Sequence, residues 1–334
     1  METIKPLLDR HSGGSLHTFG SCENGFWMKG SDVDACLVVR RCSLRQSWLT
    51  KLRLIDCLLR RDKMGTAHIV SAARVPVAKL MDVHGVEFCD VSVNNTAALE
   101  NSRFVKTFSR LDSRVPVLGR IIKYWASRRQ INNRAEGTLS TYTLILQLFY
   151  FLQMHSVPVL PLVRELLLEE LRTEDAGADV PAQAVNALAG GPEMSELSGE
   201  LRPLPFVTDR DAITGEGGRF PLAGRNQESL GELLFGFFTF WGDASFRGGD
   251  EGKGQTVRVY DGGRAENDLG VLVVRCPLTG KNVNPFTTAV WQAIHGEFER
   301  AAGLLAGGGS LDELCLKADS PPIPFANDRL RDLA

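Results

Sequence analysis

Phe19-Gly20-Ser21, then Ser31-Asp32-Val33-Asp34-Ala35-Cys36-Leu37-Val38-Val39, and further on Val86-Glu87-Phe88-Cys89-Asp90-Val91-Ser92-Val93, decide how this chain is read. The run from Ala35 to Val39 is continuously apolar, as a buried strand requires. Asp32 and Asp34 open it. Strand neighbours alternate faces, so both carboxylates point the same way with Cα atoms roughly 7 Å apart. An isolated Asp-x-Asp reads first as a solvated strand end; the apolar run behind it places this pair at a sheet edge. If 86–93 lies on an adjacent strand, about 4.8 Å away, Asp90 completes a face of three carboxylates. Such acids repel one another unless cations sit between them, and an all-oxygen donor set suits hard divalent ions. Two such ions, about 3.5–4 Å apart, clamp the attacking and leaving oxygens of phosphoryl transfer.

The residues upstream fit the same chemistry. Leu16-His17-Thr18-Phe19 reads as a strand and Gly20-Ser21 as the turn that ends it. A glycine there lets the backbone approach a triphosphate closely, and exposed N–H groups with the Ser21 hydroxyl can hold its oxygens. Ser31 adds a further hydroxyl.

A chain of 334 residues predicts two domains with ample cores. The formal net charge of −2 excludes RNA binding by bulk electrostatics, so any RNA contact is local and short. Arg40-Arg41, Arg60-Arg61 and Arg128-Arg129 are the candidate patches; each otherwise reads as a solvated helix face. Seven cysteines without a C-x-x-C spacing point to a reducing compartment, and six scattered histidines argue against structural zinc. No stretch of about 18 apolar residues predicts a membrane span. The N-terminus lacks the pattern of a secretory signal or an Arg-rich presequence.

Along the chain we read strands at 16–20 and 33–40, a helix at 43–61, and strands near 67–83 and 86–93, the pattern of a small α+β domain. From Ala97 the apolar spacing becomes helical, with core aromatic stripes. The segment 163–224 turns Ala/Gly/Glu-rich with scattered prolines and reads as an insertion. Beyond it come an apolar helix near 229–238, strands near 255–260 and 270–275, and a long helix at about 284–305.

Gly20-Ser21, Asp32-x-Asp34 and a third acid on a later strand resemble the polymerase-β nucleotidyltransferase superfamily. Asn94-Asn95, Glu100-Asn101-Ser102, Ile122-Lys123-Tyr124-Trp125-Ala126 and Gly137-Thr138-Leu139-Ser140-Thr141-Tyr142 narrow the likeness. These words resemble the noncanonical poly(A)/poly(U) polymerases, and among them the trypanosomatid terminal uridylyltransferases of the minor editosome-associated type. The resemblance is strong from about 19 to 150, thinner over 226–241 and weak beyond.

It implies an α+β two-domain nucleotidyltransferase with the active site in a cleft. A polymerase-β-like catalytic domain spans 1–110, and a mainly helical nucleotide- and base-recognition domain spans 111–334, with the 163–224 insertion bridging the two. It further implies attack of an RNA 3′-hydroxyl on the α-phosphorus of UTP. Asp32, Asp34 and Asp90 would hold two Mg²⁺ (or Mn²⁺) ions, with Asp90 accepting the proton. Asn101-Ser102 match the pair that contacts the ribose, and Lys123 a triphosphate-binding lysine. Ser127 stands where the family has a second lysine. Thr141-Tyr142 match a Ser-Tyr whose serine reaches phosphate and whose tyrosine stacks on the base.

The family's base-reading Asp-Pro-x-Glu word is replaced here by Arg275-Cys276-Pro277-Leu278. Arg275, Lys281, the latter where some members carry a histidine, or a water molecule is therefore the candidate for contact with uracil O4. An ATP-using poly(A)-type enzyme and a silent nucleotide- or protein-binding subunit stay open as alternatives. The resemblance also implies a mitochondrial setting and RNA-editing proteins as partners.

Overall fold

The computed structural model describes residues 1–40, 42, 44–73, 75–169, 204–221, 226–248 and 252–319. Its backbone divides into two compact units. The first comprises Met1–Ser109 with Gln183–Pro205, the second Arg110–Ala182 with Phe206–Ala334.

In the first unit, α1 (Ile4–His11) leads into β1 (Gly14–Phe19), the short α2 (Ser21–Asn24) and β2 (Val33–Val39). Then come α3 (Arg45–Arg61), β3 (Thr66–Val70), β4 (Val77–Met81), β5 (Glu87–Val93) and α4 (Thr96–Ser109). The strand segment expected near 67–83 is thus a hairpin of β3 and β4, with Pro76 directly before the second strand. The strands form one mixed sheet in the order β1-β2-β5-β4-β3, with β2 and β5 parallel and the other pairs antiparallel.

Residue parity decides what each face carries. Ala35, Leu37 and Val39, with Cys89, Val91 and Val93, share a core with Ile4 and Leu8 of α1 and Leu52, Ile55 and Leu59 of α3. Each such leucine, fully buried, contributes about 1.5–3 kcal/mol. The even-numbered Cys36 and Val38 pack instead against Leu99 of α4 and Phe19. Asp34 and Asp90 have the parity of this second face. Asn94 locks the register: its amide nitrogen donates to the Val39 and Cys42 carbonyls (3.0 and 2.8 Å) and its oxygen accepts from Val39 N–H (2.8 Å). None of the seven cysteines is in a disulfide.

The second unit is mainly helical: α5 (Arg114–Arg128), α6 (Thr141–Met154), α7 (Arg210–Thr214) and α8 (Leu230–Trp241). After the strands β6 (Gly254–Arg258), β7 (Arg264–Asn267) and β8 (Val273–Arg275) come α9 (Thr288–Ala306) and α10 (Leu311–Leu314). β6 pairs antiparallel with β7 and parallel with β8. From Thr143 to Gln153 α6 is buried all round, as its almost wholly apolar sequence demands. Trp125, Phe238 and Phe298 bring α5, α8 and α9 together, with Trp125 4.8 Å from Phe238 edge-on and 5.1 Å from Phe298.

Within 163–224, Arg164 N–H donates to the Tyr260 carbonyl (3.0 Å), Leu167 pairs with Phe206, and Arg210 Nε donates to the Arg110 carbonyl (2.9 Å). The bridging role expected of this insertion lies outside the described residues.

Arg128-Arg129 is a structural clamp within the second unit. Arg128 Nε donates to the Cys315 carbonyl (3.1 Å), and Arg129 donates to the Leu316 carbonyl (2.9 Å) and through two nitrogens to Glu297 (2.8 and 3.0 Å). Arg300 completes the cluster at 2.9 Å from Glu297. Burial acts to raise the Glu297 pKa, but the hydrogen bonds from Arg129 and Arg300 outweigh it and hold the carboxyl below its ordinary value. A depressed folded-state pKa contributes stability above the unfolded value that is lost as pH falls through the folded one. Glu297→Gln is therefore expected to cost about 1–3 kcal/mol at neutral pH and to flatten the acid limb of stability, measured by urea unfolding from pH 7 to pH 3.

Candidate active site and nucleotide-binding residues

The sheet brings two of the three predicted acids side by side. Asp34 and Asp90 are register partners across the parallel β2/β5 pair, and Phe19, the last residue of β1, is the partner of Asp34 on its other side. Asp32 lies two residues upstream, exposed, where the chain enters the sheet. Among the described residues no three His, Cys, Asp or Glu side chains are gathered so as to hold a metal ion. Like charges on one face keep apart when no cation stands between them.

Asp90 nevertheless has the character of a cation ligand. Its Oδ1 is buried without a hydrogen-bond partner, while Oδ2 lies 3.6 Å from Lys79 Nζ, which is itself held at 2.5 Å by Glu87. Burial pushes the Asp90 carboxyl up; Lys79 opposes this, and Glu87 and Asp32 add to it. A buried anionic oxygen with no donor costs stability until a positive partner arrives. A divalent ion would meet that need: Asp34 and Asp90 stand side by side for it, and Asp32 is the further carboxylate that would have to join them.

Gly20 is required where it stands. Its φ is +71° and its ψ −149°, and a Cβ built there would lie 2.4 Å from Asp34 Oδ2. Its N–H donates to Ser102 Oγ (2.8 Å), so the Gly20-Ser21 turn is tied to α4 by a buried hydroxyl. That places the predicted ribose contact Ser102 behind the turn, with its own proton still available to donate. Asn101 precedes it on α4, partly buried. Ser21 opens α2, and Ser31 closes a turn with Met28: Ser31 N–H donates to the Met28 carbonyl (3.0 Å), and Met28 N–H to Ser31 Oγ (3.4 Å).

In the second unit, Lys123 and the exposed Ser127 sit one helical turn apart on α5. Ser140 caps α6, accepting from Thr143 N–H at 3.1 Å, which leaves Thr141 and Tyr142 in the first turn. The Thr141 hydroxyl is 3.3 Å from Asn132 Nδ2. The Tyr142 hydroxyl meets Cys276 Sγ at 3.4 Å, and burial pushes its pKa well up, so the phenol stays neutral. Arg275 and Lys281 bracket a tight turn: Cys276 N–H donates to the Lys281 carbonyl (2.9 Å), Gly280 N–H to the Cys276 carbonyl (2.8 Å), and Arg275 Nη1 to the Gly280 carbonyl (3.2 Å). Both side chains are exposed on the turn that also supplies the partner of Tyr142.

Sequence reasoning missed Asn284. Buried two residues after Asn282, it accepts from Ser140 N–H (2.8 Å) and the Thr143 hydroxyl (3.0 Å), and donates to the Thr138 carbonyl (3.1 Å). It thereby joins the start of α6 to the 275–282 turn. Asn284→Ala is expected to cost about 1–3 kcal/mol in urea unfolding and to raise the nucleotide KM through a displaced Tyr142, with a smaller effect on kcat.

Residues 2–110 match the family "Poly(A) RNA polymerase, mitochondrial-like, central palm domain". Poly(A) RNA polymerase cid11 of Schizosaccharomyces pombe is 29% identical over 307 residues, which are 90% of this chain and 55% of that protein. Terminal uridylyltransferase 4 of Homo sapiens is 29% identical over 229 residues, 68% of this chain and 12% of that one. The chain thus spans about half the length of the first of these relatives and a small part of the second. The crystal structure of the Cid1 poly(U) polymerase superposes with a TM-score of 0.70 at 25% identity, covering 95% of this chain and 90% of that one. Structures of Cid1 contain its short product ApU, the UTP analog UMPNPP, and Mg with 3′-dATP. The α+β fold is that of these RNA nucleotidyltransferases, and the chain is similar in sequence to poly(A) and poly(U) polymerases.

Proposed function

We propose that this chain, similar along most of its length to noncanonical poly(A)/poly(U) polymerases, is a template-independent RNA uridylyltransferase that adds UMP from UTP to an RNA 3′-end. The observation that carries the reading is the pairing of Asp34 with Asp90 across adjacent parallel strands, with Asp32 two residues upstream. In the reaction the 3′-oxygen bonds to the α-phosphorus, the bond to the β-phosphate bridging oxygen breaks, and pyrophosphate leaves. Asp32, Asp34 and Asp90 would hold Mg²⁺, which supplies charge neutralisation on the triphosphate and an acidified attacking hydroxyl. Asp90 accepts the hydroxyl proton. Ser21 presents its backbone N–H and hydroxyl to the triphosphate from the turn that Gly20 makes and ties to Ser102, with Ser31 as a further contact; the resemblance assigns phosphate contacts to Lys123, Ser127 and Thr141 as well. Asn101 and Ser102 serve the ribose, and Tyr142 stacks on the base. Positioning and electrostatics supply most of the rate in such transfers.

The preference for uracil rests on whole-chain likeness to a poly(U) polymerase and on the exposed Arg275 and Lys281 of the turn beside Tyr142. We place the activity in mitochondrial RNA editing or processing, on the resemblance to trypanosomatid editosome-associated uridylyltransferases; imaging of the tagged protein outside mitochondria would reject that setting. The enzymatic test offers each nucleoside triphosphate separately, with Mg²⁺, to a short single-stranded RNA and to a gapped duplex, and reads the 3′ ends. Extension with UTP well above ATP is expected. ATP used as well as UTP would make this a poly(A)-type enzyme, and no extension with any nucleotide would overturn the reading.

A further inference from the structure

Of the five tryptophans, Trp125, Trp241 and Trp291 are fully buried and Trp48 is partly buried, its ring N–H donating to the Cys42 carbonyl (2.7 Å). Trp27 alone is held out, 50% exposed. Leaving half of so large an apolar ring in water forfeits burial that would otherwise stabilise the fold.

The loop that presents it is built to do so. Phe26, its neighbour, is completely buried and anchors one side. Gly25 and Gly30, at φ +90° and +84°, turn the chain on either flank. The reciprocal Met28–Ser31 hydrogen bonds close the other side. The loop leaves α2 and re-enters the sheet at Asp32 and Val33, and the Phe19–Asp34 pairing puts both its ends at the sheet edge that carries the acids. Trp27 and Asp32 are five positions apart, so their Cα atoms lie within about 18 Å. Lys29, exposed, shares the loop.

We infer that Trp27 is a stacking platform for an unpaired RNA base close to the 3′ end, with Lys29 beside it for the adjoining phosphate. The inference deepens the proposed function and rests on it. A chain of net charge −2 has little general attraction for RNA, and stacking supplies affinity that neither salt nor base identity removes. An RNA strand whose 3′-hydroxyl meets the acids passes an open aromatic face if it leaves along the end of the sheet that this loop flanks.

The test measures extension of a short single-stranded RNA by wild type, Trp27→Ala and Trp27→Phe, and titrates the same RNA against tryptophan fluorescence with no nucleotide present. Trp27→Ala is expected to raise the RNA KM about 5- to 100-fold, leaving kcat at saturating RNA and the UTP KM within about twofold. Trp27→Phe should keep most of the affinity and lose the RNA-induced quench seen in wild type. An RNA KM unchanged in Trp27→Ala, with the quench intact in Trp27→Phe, would overturn the platform and leave Trp27 to a protein partner. Should wild type extend no RNA yet show a saturable quench that Trp27→Phe lacks, the catalytic reading fails and the platform stands.

Discussion

Asp90→Asn is expected to lower nucleotide addition by about 10³-fold or more while UTP binding persists, and to leave the metal-free protein at least as stable as wild type. The first effect follows from chemistry. The amide neither accepts the proton of the attacking hydroxyl nor neutralises a divalent ion, and either loss alone is large. The second follows from the site as folded. Asp90 Oδ1 is buried with no hydrogen-bond partner, and its charge is raised in energy by desolvation first, with Glu87 and Asp32 contributing, while Lys79 opposes. Removing a charge so placed relieves the folded state, whereas removing one partner of a well-matched buried ion pair destabilises it. Thermal unfolding in EDTA and in Mg²⁺ separates the two. Mg²⁺ should raise the wild-type Tm, and the gain should shrink in Asp90→Asn. A variant that turns over normally would remove Asp90 from the mechanism, and one that unfolds far below wild type in EDTA would show a structural role instead.

The parts of this protein that were legible in sequence are those that depend on short periods. Two-residue alternation sufficed to put Asp34 on the face it shares with Cys36 and Val38, and the apolar run after it to make β2 a buried strand; the register with Asp90 then follows from pairing, while Asp32 stands just outside the strand. The longer helices α4, α5, α6, α8 and α9 announced themselves by spacing, whereas the short α7 and α10 did not. What was missed depends on distant partners or carries no pattern. β7, Arg-Ala-Glu-Asn, is an edge strand with an exposed polar face and no apolar alternation to reveal it. α1 holds only two buried residues, Ile4 and Leu8. Asn94 and Asn284 are ordinary polar letters until the chain folds Val39 or Ser140 against them. Arg128-Arg129 has the composition of a nucleic-acid patch, yet its donors are committed to Cys315, Leu316 and Glu297. Charge alone does not report where a guanidinium's partner lies.

Gly20→Ala is expected to lose about 1–3 kcal/mol of stability and nearly all activity, and the two losses have separate causes. The backbone at φ +71° and ψ −149° is a region that only glycine occupies without strain, which accounts for the stability cost. The activity loss comes from the new methyl. At 2.4 Å from Asp34 Oδ2 and 3.3 Å from its Cγ it cannot coexist with the carboxylate as placed. If Asp34 swings aside, it leaves the face it shares with Asp90. If the turn shifts instead, the Gly20 N–H leaves Ser102 Oγ and the Ser21 end of the triphosphate cradle moves with it. Either response degrades the arrangement that positions the reacting atoms, for which about 10²-fold in kcat is a reasonable scale. Gly85→Ala is the control. Gly85 has a similar φ of +78°, lies in the β4–β5 turn, and a Cβ there meets nothing within 4 Å. It should show the same order of strain in urea unfolding with kcat unchanged. Equal kcat losses in the two variants would mean that strain, and not the approach to Asp34, explains the glycine. A Gly20→Ala enzyme with normal kcat would show that the site tolerates a displaced Asp34 and would weaken the case for that carboxylate as a ligand.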